Sequence, residues 1–253
     1  MNPFLFIKKL LFPGLNIATR KRMKFIKYFR RGDILTLDAG CGNGAFSFEA
    51  AKLGNRVVGI DFDPKKLKRC EEFRDYLKID SSRCQFKVFN IYDLPSLKEF
   101  FGEFDQIICF ETLEHLKNDQ KIISLFNQVL KPGGVLQLGV PNADRKPYYG
   151  EITSQKEDGG HLRLGYFFDD LKKIFKREGF DIIRKDSAVG FFGKILVNIN
   201  QWISLSALTK NIPDRIKDIL NIIVLITIYP ITFLDVIIPS KPLNIYVMAI
   251  KSK

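Results

Sequence analysis

At 253 residues, 46% hydrophobic and 27% charged, with 40 Lys+Arg against 28 Asp+Glu, the chain carries a net charge of +12 and a pI near 9.5. That balance excludes intrinsic disorder, collagen-like repeats and acidic low-complexity classes, and the length fits one globular domain with an elaboration. Four scattered cysteines, Cys41, Cys70, Cys84 and Cys109, show no CxxC spacing; this argues against a disulfide framework and a zinc knuckle and for a reducing, intracellular compartment.

The chain reads as four segments: a basic amphipathic leader or cap over 1–32, a core over 33–189, an apolar helical insertion over 190–240 and a final core strand over 241–253. The leader holds Lys8, Lys9, Arg20, Lys21, Arg22, Lys24, Lys27, Arg30 and Arg31, and no acid precedes Asp33. Its opening stretch NPFLFIKKLLF lacks the order of a cleavable signal peptide and is broken by Pro13-Gly14. Basic residues among Phe, Leu and Ile suit a segment drawn to anionic lipid, while a solvated capping helix and a nucleic-acid-binding arm are the competing readings. Nucleic acid is the least favoured of the three.

From residue 34 short apolar runs alternate with helical stretches. ILTLDAG reads as a strand, followed by glycines and the helix AFSFEAAKL; NRVVGID is a second strand, after which Asp63 caps a helix with Pro64 at its first position. QFKVFN and FDQIICF follow as strands, then a helix through IISLFNQVL that KPGG stops. VLQLGVPN, FFDDLKKIFKREGF, FDIIRKD and NIYVMAIKSK read as strand, helix, strand, strand. Strands separated by helices imply right-handed crossovers and an α/β fold: a doubly wound, seven-stranded, mostly parallel sheet.

In such a sheet ligands bind beyond the carboxyl ends of the strands. The loop after the first strand is Asp38-Ala39-Gly40-Cys41-Gly42-Asn43-Gly44, where glycines permit positive φ and close backbone approach to a ligand. The second strand ends at Asp61, where a carboxylate can accept both hydroxyls of a ribose. The spacing is GxGxG with an acid two residues before it. That acid repels a pyrophosphate and attracts an ammonium group, which favours a ligand with an amino-acid end over a dinucleotide.

Taken in order, LDAGCGNG, VVGIDFDP, NIYDLP, FDQIICFETLEHL and KPGGVLQLGVPN resemble the class I S-adenosylmethionine-dependent methyltransferase superfamily, with a Rossmann-like fold. The resemblance implies S-adenosyl-L-methionine as cofactor. Asp38, Gly40, Gly42 and Gly44 would surround its methionine moiety, Asp61 would hold the ribose, Phe62 would pack on the adenine, and Asn90 and Ile91 would lie beside it. Asn90 stands where many members carry an aspartate.

Methyl transfer needs an in-line nucleophile and a way to remove its proton. The candidate apparatus is Glu111-Thr112-Leu113-Glu114-His115 at the mouth of the fourth strand; were the stretch helical, Glu111, Glu114 and His115 would share one face. The second of the two histidines, His161, lies in GGHLRLGYF on the same rim. Glu111, Glu114, His115 and His161 make a candidate site for a divalent ion, in an arrangement similar to that of ubiquinone-pathway O-methyltransferases and small-RNA 2′-O-methyltransferases. A metal-free base or substrate contact (His115, His161, Glu111) and a purely structural turn remain the alternatives. Asp158 and Arg163 flank His161 and are candidates to line the same pocket, and Tyr148, Tyr149 and Tyr166 are candidate substrate walls.

Residues 190–239 fill a connection that is usually tight. Seven of the fifty are charged, and IIVLITIYPITFLDVIIP approaches bilayer-spanning length. A single crossing would strand the last β-strand on the far side, and Pro230 and Asp235 disfavour a continuous span, so two shorter helices around Pro230 are expected. Such a lid suits a small, lipid-linked or otherwise hydrophobic acceptor, or contact with a membrane; an accessory packing layer or dimer interface competes. The expectation is an O-methylating enzyme, cytoplasmic and peripheral at the membrane inner face. A non-catalytic cofactor-binding scaffold and a nicotinamide-dependent oxidoreductase are the rivals.

Overall fold

The computed structural model describes residues 3–146, 153–157 and 159–252. Seven strands form one sheet in the order β3-β2-β1-β4-β5-β7-β6: β1 Leu35–Ala39, β2 Arg56–Asp61, β3 Cys84–Val88, β4 Phe104–Phe110, β5 Leu130–Pro141, β6 Phe180–Asp186 and β7 Asn244–Lys251. The pairs β1–β2, β1–β4, β2–β3 and β4–β5 are parallel, and β7 inserts antiparallel between β5 and β6. β6 therefore runs with the first five strands. The interior strand β1, LTLDA, is buried at every position, as a strand covered by helices on both faces must be.

The helices are α1 Pro3–Leu10, α2 Ile17–Arg22, α3 Ala45–Lys52, α4 Pro64–Tyr76, α5 Leu94–Phe101, α6 Asp119–Val129, α7 Phe168–Arg177, α8 Phe191–Leu205 and α9 Asp214–Thr227. Asp63 caps α4 by accepting from the Lys65 and Lys66 backbone N–H groups. Helix α5 corrects the sequence reading, which passes straight from the third strand to the fourth. Only Leu94 and Leu97 of its eight residues are buried, too short a stripe to show in the pattern.

The second half of the leader is part of the core. Ile17 and Phe25 are fully buried, and Phe25 stacks on Tyr246 of β7 with centroids 4.2 Å apart. A turn of 3₁₀ helix over Met23–Tyr28 carries it across the sheet.

The insertion folds as α8, α9 and a 3₁₀ stretch over Tyr229–Val236. Asp235 ties them together. Its carboxylate accepts from the backbone N–H groups of Gly190, Phe192 and Gly193 at 2.7–3.2 Å and pairs with Lys21 of α2 at 3.1 Å. These are N-terminal amides of α8, where an anion is favoured. Among the described residues no single helix is long and apolar enough to cross a membrane; α9 and Tyr229–Val236 meet the length and composition together but are bent by 45°.

Candidate active site

A cavity of about 700 Å³ opens at the carboxyl ends of β1, β2 and β4. Its floor is the turn after β1, where Gly40, Gly42 and Gly44 all have positive φ, +54° to +75°. At Gly40 a side chain would strike Thr112. Gly42 differs: a Cβ there would meet nothing within 4 Å, so its backbone faces open space that a ligand can occupy.

Asp38 and Asp61 set the charge of this floor. Asp38 is buried and takes hydrogen bonds from the Ser47 hydroxyl, at 2.5 Å, and the Ser47 backbone; among the described residues no cation is paired with it. Burial pushes its carboxyl up to about 7, against the Ser47 hydrogen bonds and helped by the neighbouring Asp61. A ligand ammonium would supply the missing positive charge. Asp61 is aimed by two backbone donors, Gly42 N–H on one oxygen and Asp63 N–H on the other, each at 3.0 Å, and each oxygen keeps a lone pair for a further hydroxyl.

The far end of the cavity is a platform. Phe62 presents an exposed ring with the Lys66 ammonium 5.6 Å above it. Asn90 Oδ1 accepts from Tyr92 N–H at 3.0 Å, capping the turn that begins at Ile91, and both residues line the cavity. A buried carboxylate lacking a cation, an open glycine backbone, an oriented diol acceptor and an aromatic platform fit an adenosyl amino-acid ligand.

Glu111 departs from the sequence expectation. The stretch after β4 is not one helix: Glu111 takes φ +51°, and only Leu113–His115 form a 3₁₀ turn. Glu111 therefore leaves the face of Glu114 and His115, and its carboxylate pairs with Arg22 of α2 at 2.8 Å inside the cavity wall. A left-handed conformation at a non-glycine residue is strained and marks functional rims. Arg22 is a site residue that the sequence reading assigns to the basic leader, and no spacing signal separates it from its neighbours.

Glu114, His115 and His161 do come together, with one ligand atom from each lying within 4.8 Å of the others. The rings of His115 and His161 meet edge to face at 4.7 Å, and both Nε2 atoms stand 3.9–4.0 Å from Glu114 Oε1. Glu114 is fully buried, and neither of its oxygens has a hydrogen-bond partner. Burial, reinforced by Glu111, pushes its carboxyl well above the usual range. His115 Nδ1 lies 2.9 Å from Gly160 O. A carbonyl can only accept, so Nδ1 carries the proton and Nε2 keeps its lone pair. Burial lowers the His115 imidazole below its ordinary value. Of the two histidines, His115 lines the cavity.

Neither Arg163, expected to line the pocket, nor Tyr166, expected as a substrate wall, lines the cavity. Arg163 pairs with Asp119 and donates to Leu116 O at 2.8 Å, while the buried Tyr166 hydroxyl sits 3.1 Å from Leu113 O. Both hold the Leu113–His115 turn from behind. Tyr148, Tyr149 and Asp158 lie outside the described residues. At the mouth, Glu157 accepts from the Tyr92 hydroxyl at 2.7 Å and from Lys117 N–H, a pairing of residues far apart in the chain that no local pattern reveals.

With this geometry in place, comparison with known proteins identifies the family. Residues 32–160, half of the chain, match the family profile described as a methyltransferase domain, and the chain belongs to that family, within the class I S-adenosylmethionine-dependent superfamily. It is 31% identical over 129 residues to the mitochondrial ubiquinone biosynthesis O-methyltransferase of Rattus norvegicus, covering 51% of this chain and 37% of the relative. It is 36% identical over 108 residues to the ubiquinone biosynthesis O-methyltransferase of Xanthomonas oryzae pv. oryzae, covering 42% of each. The match thus spans less than half the length of these relatives. In fold, it superposes on phosphoethanolamine N-methyltransferase 2 of Haemonchus contortus with a TM-score of 0.63 at 20% identity, over 98% of this chain and 57% of that one.

Proposed function

We propose that this methyltransferase-family chain is an S-adenosylmethionine-dependent enzyme that methylates a hydroxyl oxygen on a small, apolar or lipid-linked acceptor close to a membrane surface. The observation that carries the reading is the cavity floor: Gly42 facing open space between a cation-less buried Asp38 and an oriented Asp61. When bound, S-adenosylmethionine supplies an electrophilic methyl group on a sulfonium. Asp38 holds the ammonium end, Asp61 the ribose hydroxyls, and Phe62, Asn90 and Ile91 the adenine. His115, with Nδ1 fixed on Gly160 O, offers Nε2 to take the proton from the acceptor hydroxyl. Glu111, clamped by Arg22, shapes the wall beside it.

Apolar walls from Phe46, Ile60, Phe89, Phe110 and Leu116 favour an acceptor with little polarity. The membrane reading draws on the face of α9 and the stretch after it, where Ile219, Ile223, Ile226, Phe233 and Val236 are all more than half exposed.

A second reading has its own observation. The partnerless, buried Glu114 carboxyl beside two imidazoles fits a divalent cation held by Glu114, His115 and His161. Such an ion would lower the pKa of an acceptor hydroxyl.

Calorimetry with S-adenosylhomocysteine, followed by transfer of labelled methyl from the cofactor into lipid, quinone, sugar, RNA and protein fractions, tests the proposal. We expect binding that Asp61→Ala abolishes and label in an apolar small-molecule fraction. No binding by the folded protein removes the cofactor reading, and NADH binding more tightly would put an oxidoreductase in its place. Binding without transfer to any fraction leaves a scaffold.

A further inference from the structure

A second trough, of about 1010 Å³, lies on the same rim of the sheet beyond β5, and it shares no lining residue with the cofactor cavity. One wall is the outer face of α8. Phe191, Ile195, Ile199 and Trp202 recur along it at helical spacing, and Phe191, Ile195 and Trp202 are 39–43% exposed. The opposite face of the same helix buries Leu196, Val197 and Ile203. The apolar stripe is therefore not the one that anchors α8 to the domain.

The remaining walls are cationic. Among the described residues, Lys146, Lys194 and Lys241 line the trough beside the carboxylate of Asp144, while the buried Arg145 guanidinium in its wall is turned to the Lys146 and Leu164 carbonyls. Asp144 is engaged by Lys241 at 3.6 Å, and Lys194 reaches the Lys241 carbonyl at 3.1 Å, which holds the two ammonium groups on one side. Three lysines against one carboxylate among the described lining residues, over an aliphatic and indole floor, ask for a ligand with both a chain and a negative head. A neutral lipid would leave the cations unused, and a free anion would leave the floor bare.

Arg145 joins the trough to the catalytic rim. It is buried, donates to Leu164 O at 3.0 Å, and its charge acts on Glu114.

We propose that this trough is a binding site for a single-chain anionic amphiphile, with the alkyl or isoprenoid chain along α8 and a phosphate or carboxylate head on Lys194 and Lys241. The site is distinct from the cofactor cavity, and the inference does not depend on the cofactor reading.

Trp202 is the chain's only tryptophan, so its emission reports on the trough. Titrating the full chain with dodecyl phosphate below its micellar concentration should give a saturable change in that emission. Dodecyl maltoside, with the same tail and a neutral head, and inorganic phosphate should each bind at least about tenfold more weakly. Lys194→Glu, and separately the exposed Lys241→Glu, should each weaken dodecyl phosphate about tenfold at an unchanged thermal midpoint, the loss expected of one charge-assisted contact. The inference is overturned by no saturable response, by an equal response to dodecyltrimethylammonium, or by affinity indifferent to both reversals. A response to anionic vesicles without one to monomeric dodecyl phosphate overturns it too, since that describes a surface and not a site.

Discussion

Replacing Asp38 by asparagine should make the ligand-free protein more stable at pH 8 while destroying its cofactor affinity. Asp38 is buried beneath the glycine turn, accepts from Ser47 and, among the described residues, is paired with no cation. Its carboxyl is raised from the model-compound value of 3.8 to about 7, first by burial and then by Asp61. The sign follows from proton counting. Between about pH 4 and 7 the folded protein holds a proton that the unfolded chain has released, so stability falls as pH rises through that window, and above pH 7 the penalty is complete. At roughly 1.4 kcal/mol per pH unit over about 3 units, the penalty is on the order of 4 kcal/mol. Asparagine presents the same oxygen to Ser47 without the charge. For a chain of this length the variant should melt roughly 8–16 °C higher at pH 8, with the difference vanishing near pH 4. Differential scanning calorimetry across that range, paired with S-adenosylhomocysteine titration, reads both effects. An Asp38→Asn protein that is no more stable at pH 8, or that keeps wild-type affinity, refutes the claim that this carboxylate is held charged for a ligand cation.

Chelation separates the two readings of the Glu114–His115–His161 cluster. If a cation completes it, EDTA abolishes transfer, Mg²⁺, Mn²⁺ or Zn²⁺ restores it, and His161→Ala costs as much as His115→Ala; with an imidazole base alone, EDTA is without effect and only His115→Ala lowers kcat, by roughly 10²–10⁴-fold. Asp235→Ala removes three amide contacts at α8 and the pair with Lys21; it should lower stability by about 3 kcal/mol, visible as a melting shift of roughly 6–12 °C, whereas Asp235→Asn should recover part of the loss. Co-sedimentation with anionic vesicles should be strong for the wild type, weaken with salt and drop on Phe233→Glu plus Val236→Glu. Wild-type protein that stays in the supernatant would assign that apolar face to packing between molecules.

The sheet and the glycine turn that floors the cavity were legible because both are written locally. Alternation of apolar runs and helices, Asp63-Pro64 at a helix start and glycines at fixed offsets from Asp38 each act within a few residues. What stayed hidden is non-local or conformational. Helix α5 buries too little to show a stripe. Glu111 breaks the helical face expected for it because φ +51° turns its side chain toward Arg22, eighty-nine residues earlier in the chain. Arg163 reads as a pocket residue from its nearness to His161 and Tyr166 as a substrate wall, yet both spend their polar atoms on Asp119 and on carbonyls of the Leu113–Leu116 stretch. Sequence proximity to a histidine is no measure of which side of a turn a residue supports.

The leader and the insertion, read as separate appendages, meet at two consecutive residues. Lys21 pairs with Asp235 and also donates to Thr232 O at 2.9 Å, while Arg22 pairs with Glu111 in the cavity wall. Both project from α2, which is anchored by the fully buried Ile17 and followed by the fully buried Phe25. One six-residue helix thus joins the apolar insertion to the wall of the cofactor cavity. Removing residues 190–239 would take away Asp235 and uncover the core that Leu196 and Val197 fill, so a truncated protein would lose the Arg22–Glu111 geometry together with the insertion. Loss of turnover in such a truncation would carry no information about substrate contact. Point substitutions on the outer faces of α8 and α9 leave α2 seated, and only they can separate what the insertion touches from what it holds in place.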